Sequence, residues 1–172
     1  MSFDEVDKLF SSCENLLKTS NFKGIQSLEL EAIFVRYVNV RIYACYQLYI
    51  KNTIIKKTEQ TKSTAIINYM THHINRKIDI DYSDLKALLN RFDSKLGQEL
   101  DKTIGYKPKG KNQDEFLSEL KSQYDRIISD RHKIAHKTVD NLQIGSLTEL
   151  KEAHNKAKII LQNVAKLLFS IR

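Results

Sequence analysis

Residues that break helices are scarce in this sequence of 172 residues, which contains one proline and five glycines. Because strands and hairpins need such residues at their turns, this scarcity favours long helices over a many-stranded sheet. Cysteine is also rare, and both Cys13 and Cys45 lie among apolar residues. Two such cysteines are typical of buried, reduced thiols, and they exclude a fold stabilised by many disulfides.

Long apolar runs are missing as well. No stretch reaches the ~18–20 apolar residues that a transmembrane helix needs. The N-terminal segment MSFDEVDKLF has early acidic residues and no long apolar run, so it does not resemble a secretory signal. We therefore expect a soluble, cytoplasmic protein that has no membrane partner.

The composition is that of a globular protein with an excess of basic over acidic residues. Apolar residues make up 41% of the chain, enough to build a core, and the length suits a single domain over residues 1–172. The net charge is +7, and residues 87–172 hold 16 basic against 11 acidic side chains. Such a surface is compatible with nucleic acid, although mildly basic surfaces are also common among cytosolic proteins.

Apolar residues recur at the three- and four-residue spacing of packed helices. The clearest segment, SLELEAIFVRYVNVRIYACYQLYIKNTI, carries two such apolar surfaces. They consist of Leu30, Phe34, Tyr37, Ala44 and Leu48, and of Val35, Val38, Ile42, Tyr46 and Ile50. We interpret the segment as the central helix, buried on most of its circumference by the core and a partner subunit. We expect Arg41, on the first surface, to be paired or to reach the edge of the bundle.

Capping signals mark where other helices begin. Capping boxes pair Ser2 with Glu5, Asn112 with Glu115 and Ser146 with Glu149. Ser83 or Asp84 is expected to cap a short helix. A third helix is expected over EQTKSTAIINYMTHHI and a further short one over SKLGQELDKTI, and GYKPKGKNQ is the clearest linker. The pattern predicts an all-α bundle of four main helices plus short helices.

The segment SDRHKIAHKT, residues 129–138, gathers an arginine, two histidines and two lysines at the end of an amphipathic helix. The apolar stripe of that helix includes Ile127 and resumes at Ile134, so Arg131 occupies an apolar-face position. A guanidinium there costs desolvation energy unless an anion meets it. The alternative is purely structural, since cations near a helix C-terminus gain about 0.3–1 kcal/mol from the helix dipole.

Arg131 and His136 are five residues apart, which places them roughly 140° apart around an ideal helix. They can converge on one ligand only if the helix ends or bends near the segment, or if a second copy of the chain supplies the other half. His132 and His136 could form half of a zinc site, but no third ligand accompanies them, so no metal site is expected.

Residues 131–136, RHKIAH, resemble the R-[polar]-x-x-x-H signature of the HEPN superfamily and are close to the RNxIAH form of its prokaryotic members. The context is similar too, since the motif ends an amphipathic helix that is followed by a loop and a last long helix. The aromatic-rich segment RYVNVRIYACYQLYIKN resembles the central helix of the family. The resemblance spans most of the chain and implies a HEPN-like helical bundle.

The resemblance also implies an activity, that of a metal-independent endoribonuclease that needs no cofactor. Two copies of the chain would form a homodimer in which the two motifs share one composite site. Arg131 would hold the scissile phosphate, and His136 would take the proton of the ribose 2′-OH or give one to the leaving oxygen. His132 would orient these groups, and Lys133 and Lys137 would contact RNA phosphates.

The biological setting that the resemblance implies is a toxin–antitoxin or phage-defence system. The substrate would be tRNA or mRNA, and an antitoxin or a defence-system protein would be a partner. In some HEPN toxins an H-x-Y tyrosine is modified by a nucleotidyltransferase antitoxin. Here His136 is followed by Lys137 and Thr138, so that form of regulation is not supported.

Two rival interpretations stay open. Some HEPN domains are catalytically inactive modules for dimerisation, partner binding or nucleotide binding, and the basic helix end could also be purely structural. His154 lies on the apolar stripe of the last helix and is expected to be a buried, hydrogen-bonded histidine. Asn39, Tyr43 and Gln47 lie on one side of the central helix, where they could line the site or bond across the bundle.

Overall fold

The computed structural model describes residues 2–20, 22–60, 79–102, 112–136 and 142–170. Within these ranges there are six α-helices and no strand, and helix accounts for 86% of the residues. The helices are α1 (Phe3–Thr19), α2 (Ile25–Glu59), α3 (Tyr82–Phe92), α4 (Leu96–Lys102), α5 (Gln113–Ala135) and α6 (Leu147–Ser170). Four are long and two are short, which confirms the predicted all-α architecture.

The chain divides into two compact units. The first unit consists of Met1–Cys45 and Ser122–Ala157, and the second of Tyr46–Lys121 and Lys158–Arg172. Residues 129–136 belong to the first unit, which therefore contains the described part of the candidate motif. The expectation of one domain over residues 1–172 stays a prediction.

The first unit buries the apolar stripes of its helices. Its core includes Val6, Phe10 and Cys13 on α1 and Ile127 on α5. Removing such side chains from water stabilises the fold by roughly 25 cal/mol per Å² of apolar surface. Cys45 is buried as well, and both cysteines remain thiols, as predicted. Burial raises the pKa of Cys13, so its thiol is neutral and inert at neutral pH.

Helix α2 is buried mainly on one of its two apolar surfaces. The buried residues, each at most 3% exposed, are Val35, Val38, Ile42, Tyr46 and Ile50. On the other surface, Tyr37 is 51% exposed and Ala44 is also exposed. The core of one chain therefore buries only the surface that carries Val35, and burial of the other by a partner subunit stays a prediction. Both surfaces satisfy helical spacing, and only tertiary contacts decide between them.

Arg41 lies at an exposed edge of α2, one of the two positions expected for it. It lines a pocket of about 250 Å³ together with Glu5, Leu9 and Tyr37, all within the first unit. The hydrogen bond from the Ser2 backbone is the main cause that lowers the pKa of Glu5, and the charge of Arg41 adds to it. The pocket is therefore lined by one acidic, one basic, one aliphatic and one aromatic side chain.

Capping side chains fix the starts of α1 and α5 where they were predicted. The capping box of Ser2 and Glu5 at α1 is complete. At α5, the Glu115 backbone N–H donates to Asn112 Oδ1 at 2.8 Å, and the Glu115 carboxylate accepts from the Asn112 N–H at 3.4 Å. These bonds satisfy amide groups that an uncapped helix end leaves without partners.

Asp101 joins three helices of the second unit. It accepts hydrogen bonds from the Tyr82 hydroxyl at 2.8 Å and Lys86 Nζ at 2.6 Å, both on α3, and from Lys121 Nζ on α5 at 2.8 Å. Burial acts to raise the pKa of Asp101, but the three hydrogen bonds outweigh it and lower that pKa to about 2. The carboxylate is therefore ionised at any pH near neutrality.

Helix α3 begins after Asp81, which takes the extended conformation of a capping residue but makes no capping hydrogen bond with its side chain. The prediction of a cap at Ser83 or Asp84 was therefore wrong, because the backbone turns into the helix before these residues. Helix α3 approaches α4 closely at Gly97, where an added Cβ would lie 2.5 Å from Asn90 Oδ1.

Several predictions concern residues that the structure does not describe. Most of the predicted third helix, most of the GYKPKGKNQ linker and Lys137 lie outside the described residues. In the part of the chain that is described, no helix is long and apolar enough to cross a membrane.

Candidate functional site

Helix α5 carries the RHKIAH segment to its C-terminal end. The helix ends at Ala135, and the His136 backbone N–H still donates to the His132 carbonyl at 3.1 Å. Arg131 therefore lies near the end of the helix, and His136 is the first residue beyond it. Because the backbone stays helical up to His136, the end of the helix does not by itself turn the two side chains toward each other, and the condition that remains is a second copy of the chain.

Tyr43 of α2 holds the first two residues of the segment. The Arg131 guanidinium carbon lies 4.4 Å from the centroid of the Tyr43 ring, in a cation–π contact. The His132 ring meets the same ring edge to face, with centroids 6.2 Å apart. Tyr43 is only 3% exposed, so its own position is fixed by the core. A fixed aromatic ring thereby orients both a guanidinium and an imidazole.

No described carboxylate forms an ion pair with Arg131, and none of its guanidinium N–H groups donates a hydrogen bond to a described residue. The side chain is half-buried, so its charge is partly removed from water. Contact with an aromatic face offsets only part of that desolvation. An anionic ligand is the natural complement of such a group, since guanidinium binds phosphate and carboxylate through two parallel hydrogen bonds.

Asp130 anchors the loop that follows the segment to the end of α5. Its carboxylate is 1% exposed and accepts hydrogen bonds from the Gln143 N–H at 2.8 Å and the Ile144 N–H at 2.8 Å. The Lys133 ammonium lies 3.7 Å from the same carboxylate. Asp130 was not predicted as a functional residue, although its place on the apolar stripe three residues after Ile127 is the signal of a buried carboxylate.

Further bonds fix the start of α6. Arg126 donates from Nη2 to the Gln143 carbonyl at 2.6 Å. The Glu149 N–H donates to Ser146 Oγ at 3.2 Å, as the predicted capping box requires, but the Glu149 carboxylate accepts from the Gly145 N–H at 2.9 Å. The first bond of the predicted capping box is therefore present. In the second bond, the Glu149 carboxylate accepts from the backbone N–H of Gly145 instead of that of Ser146.

The side chains that were predicted to act together are only partly brought together. Arg131 and His132 meet at Tyr43, whereas the His136 side chain is exposed and makes no hydrogen bond, ion pair or ring contact with a described residue. Lys133 is directed partly toward Asp130, and Lys137 lies outside the described residues. One chain therefore positions the arginine and leaves the terminal imidazole accessible to solvent.

The face of α2 that carries Tyr43 holds two further polar residues, Asn39 and Arg36. The Asn39 side chain is 1% exposed, yet neither its nitrogen nor its oxygen has a hydrogen-bond partner among the described residues. The Nε atom of Arg36 is buried and equally without a partner in that part of the chain. Buried polar atoms without partners are uncommon in native proteins and call for an explanation.

His154 lies apart from this cluster and is fully buried in the first unit, which confirms its predicted burial, while its predicted hydrogen bond stays a prediction. Its ring contacts Phe3 and Phe10, with centroids 6.0 Å away in each case, and Nε2 lies 3.9 Å from an Asp7 carboxylate oxygen. These contacts indicate a structural role in the core. Within the described ranges, no three His, Cys, Asp or Glu side chains come close enough together to hold a metal ion.

Comparison with known proteins assigns the chain to a family. No curated protein and no solved structure matches the chain significantly. The model of the RiboL-PSP-HEPN family, however, matches residues 2–169, a span that includes the whole RHKIAH segment and nearly all of the chain. This match confirms the HEPN resemblance of the chain and its helical fold, while the roles given to the motif residues stay predictions. The chain belongs to the RiboL-PSP-HEPN family.

Proposed function

We propose that this protein is a metal-independent endoribonuclease whose active site forms between two copies of the chain. The observation that carries the proposal is the position of Arg131. Its guanidinium lies over the buried Tyr43 ring at the end of α5, without a carboxylate partner among the described residues. A preorganised cation that lacks an anion is suited to a phosphate group whose negative charge increases during reaction.

Arg131 acts on the scissile phosphate. Its planar guanidinium remains charged at all relevant pH values and can donate two parallel hydrogen bonds to non-bridging phosphate oxygens. Tyr43 contacts the guanidinium through its ring and takes up none of its N–H groups as a carboxylate would, so these groups can donate to a ligand. His132, held against the same ring, limits where the phosphate can lie.

His136 serves as the general base or general acid, because an imidazole accepts and donates protons near neutral pH. It takes the proton of the ribose 2′-OH, and the 2′-oxygen attacks the phosphorus atom. The bond from phosphorus to the 5′-oxygen breaks, and a second imidazole protonates that leaving oxygen. The products are a 2′,3′-cyclic phosphate and a 5′-hydroxyl, and no water or metal is consumed.

A second copy of the chain supplies the second imidazole. Within one chain the exposed His136 side chain makes no hydrogen bond, ion pair or ring contact with a described residue. Two copies related by a twofold axis would bring two RHKIAH segments to one cleft, with one imidazole as base and the other as acid. The homodimer is therefore part of the proposed mechanism.

The RNA target is inferred from the family resemblance. A toxin–antitoxin or phage-defence role, with tRNA or mRNA as the substrate, fits a nuclease of this size, and an antitoxin or another defence protein would then restrain or activate it. Lys133 and Lys137 would add contacts to phosphates beside the cleaved one, as basic side chains near a nuclease site commonly do.

The test is cleavage of total RNA by the purified protein in EDTA. We expect the wild-type protein to cut RNA under these conditions and to leave 2′,3′-cyclic phosphate ends. Arg131→Ala and His136→Ala should each lower the rate by ~10²–10⁴-fold, the range typical of losing general acid–base or transition-state charge stabilisation. Arg91→Ala, which removes an exposed arginine on α3, is the charge-matched control. Cleavage that survives both site substitutions would refute the proposal.

The second candidate function is an inactive HEPN-type module that binds a partner or a nucleotide. It is favoured by a row of exposed apolar residues on α2, which includes Ile33 (56% exposed), Tyr37 (51%) and Val40 (41%). Exposed apolar rows of this kind are typical of interaction surfaces. The module would show no RNA cleavage in any buffer, whether or not Arg131 and His136 are intact.

A further inference from the structure

We propose that Arg36 is a second phosphate-binding residue, which holds a phosphate of the RNA strand that flanks the scissile one. Asn39, one helical turn away, is the residue that positions Arg36. The inference rests on the proposed function for its ligand, RNA. It adds a subsite on α2 to the site at the end of α5.

The backbone places Arg36 on the face of α2 that carries the site. Arg36 and Tyr43 are seven residues apart, so they lie within roughly 20° of each other around the helix and about 10 Å apart along its axis. Tyr43 in turn contacts Arg131. Two guanidinium groups thus lie along one face of α2, Arg36 on the helix itself and Arg131 through its contact with Tyr43, and a strand with successive phosphates can follow that face.

Arg36 also resembles Arg131 in having no acidic partner among the described residues. Some basic residues of the first unit do have one: Lys151 pairs with Glu14 at 2.8 Å, and Lys133 lies 3.7 Å from Asp130. A half-buried guanidinium without a carboxylate carries a charge that is neither fully solvated nor neutralised. A polyanion would neutralise Arg36 and Arg131 together.

Buried atoms without partners supply the second observation. Asn39 is 1% exposed and has two such atoms, and the Nε atom of Arg36 is a third. Each loses its hydrogen bonds to water and gains none in return. Because Asn39 is sealed from solvent, it cannot touch RNA itself. Neither Asn39 Oδ1 nor Arg36 Nε–H is bonded to the other in this structure, although residues three apart are neighbours on a helix surface, and we infer that this bond forms when Arg36 takes up a phosphate.

That hydrogen bond defines the positioning role of Asn39. With Nε–H donated to Asn39, the two terminal nitrogens of Arg36 are turned outward and can donate to phosphate oxygens in the paired geometry that guanidinium favours. RNA binding would therefore satisfy groups that lack partners in the chain alone. The proposed ligand is a single strand, since its backbone can follow the face of α2 past both arginines.

The experiment measures binding of a single-stranded RNA oligonucleotide to the full chain across a range of salt concentrations. All proteins carry His136→Ala and the buffer contains EDTA, so that the RNA stays intact. We expect Arg36→Gln to reduce the slope of log affinity against log salt by about 0.7, the value for one phosphate contact on a single strand. Arg91→Gln removes an equal charge from the exposed face of α3 and should leave the slope unchanged.

Kinetics and stability complete the test. In the active background, Arg36→Gln should raise KM about tenfold, the loss of one charged hydrogen-bonded contact, while kcat stays within about threefold. Asn39→Leu replaces the amide by an apolar group of similar size, so the melting temperature should hold or rise. The same change should lower the salt slope as Arg36→Gln does, which a purely structural amide would not.

The outcomes separate this inference from the proposed function. If the wild type cleaves RNA but Arg36→Gln matches Arg91→Gln in both slope and KM, the subsite is refuted and the nuclease stands. If the protein binds RNA and never cleaves it, the nuclease is refuted, and the slope comparison still decides the role of Arg36. If no RNA binds at all, both are refuted.

Discussion

In the folded chain the guanidinium of Arg131 rests 4.4 Å from the centre of the Tyr43 ring, although the two residues are far apart in sequence. Tyr43 is part of the core, so the arginine is positioned by a rigid element and not by a flexible partner. This is the arrangement expected when a charged group must meet a phosphate without first being reorganised. The predictions below follow from this contact and from the bonds around it.

Removing the ring should disorder Arg131. We expect Tyr43→Leu to lower kcat/KM for RNA cleavage by about 2–30-fold, which corresponds to a cation–π contact of ~0.5–2 kcal/mol. Tyr43→Phe keeps an aromatic face and should stay within about threefold of wild type. The measurement is steady-state cleavage at a temperature at which circular dichroism shows each variant to be folded.

The matched control for this comparison is Tyr124→Leu, since Tyr124 is also fully buried and lies two turns before Arg131. It should cost stability, as any buried tyrosine would, and leave kcat/KM nearly unchanged in the folded protein. Equal losses of activity in Tyr43→Leu and Tyr124→Leu would show that the effect is general destabilisation.

Replacing Asp130 should loosen the loop between α5 and α6. Asp130→Asn puts an amide donor where backbone N–H groups of Gln143 and Ile144 need an acceptor. We expect a loss of about 1–3 kcal/mol in the free energy of unfolding, measured by urea denaturation. The Gln143 and Ile144 amides should also exchange hydrogen faster. Glu152→Gln, at an exposed position of α6, should change neither quantity.

The Asp101 network should make stability depend on pH in the acid range. The pKa of this carboxyl is about 2 in the folded chain, below its ordinary value of 3.8. The folded state therefore favours the ionised form, and its contribution is complete above about pH 5 and is lost as the pH falls toward 2. Because the carboxyl is 31% exposed, we expect ~1–2 kcal/mol after allowing for solvent screening.

Asp101→Asn tests this dependence. At pH 7 the variant should be less stable than wild type by that amount in urea, and the two should converge between pH 5 and pH 2. Asp114→Asn, at an exposed carboxylate of α5, serves as the control. Curves for wild type and Asp101→Asn that stay parallel across the whole range would contradict the assigned network.

The architecture could be predicted from the sequence because local signals were strong. Few breakers, helical spacing and the capping pairs at Ser2 and Asn112 are all decided within a few residues. The buried face of α2 could not be chosen in the same way, since Tyr37 and Tyr46 lie on stripes that satisfy the same spacing. Contacts with other helices bury Tyr46, whereas Tyr37 lies on a surface that remains exposed.

The residues of the candidate site could be predicted from the sequence, but their contacts could not. The spacing of Arg131 and His136 pointed to the motif, and the resemblance gave these residues roles. The contact with Tyr43 was not predictable in detail, because it joins helices α2 and α5 and no local rule connects them. Asp130 was missed for a related reason, since a carboxylate within a basic segment is usually a surface residue, and only the loop at Gln143 shows its role.

The central claim, a site shared by two chains, is tested most directly by mixing wild-type and inactive subunits. Wild-type and His136→Ala chains with different tags are co-expressed, and the mixed species that carries both tags is purified and assayed on RNA in EDTA. If one cleft uses an imidazole from each chain, the mixed dimer lacks either the base or the acid. We predict that its cleavage rate falls to near that of the His136→Ala parent. A mixed species that keeps about half of the wild-type rate would contradict the account, because each chain would then carry a complete site.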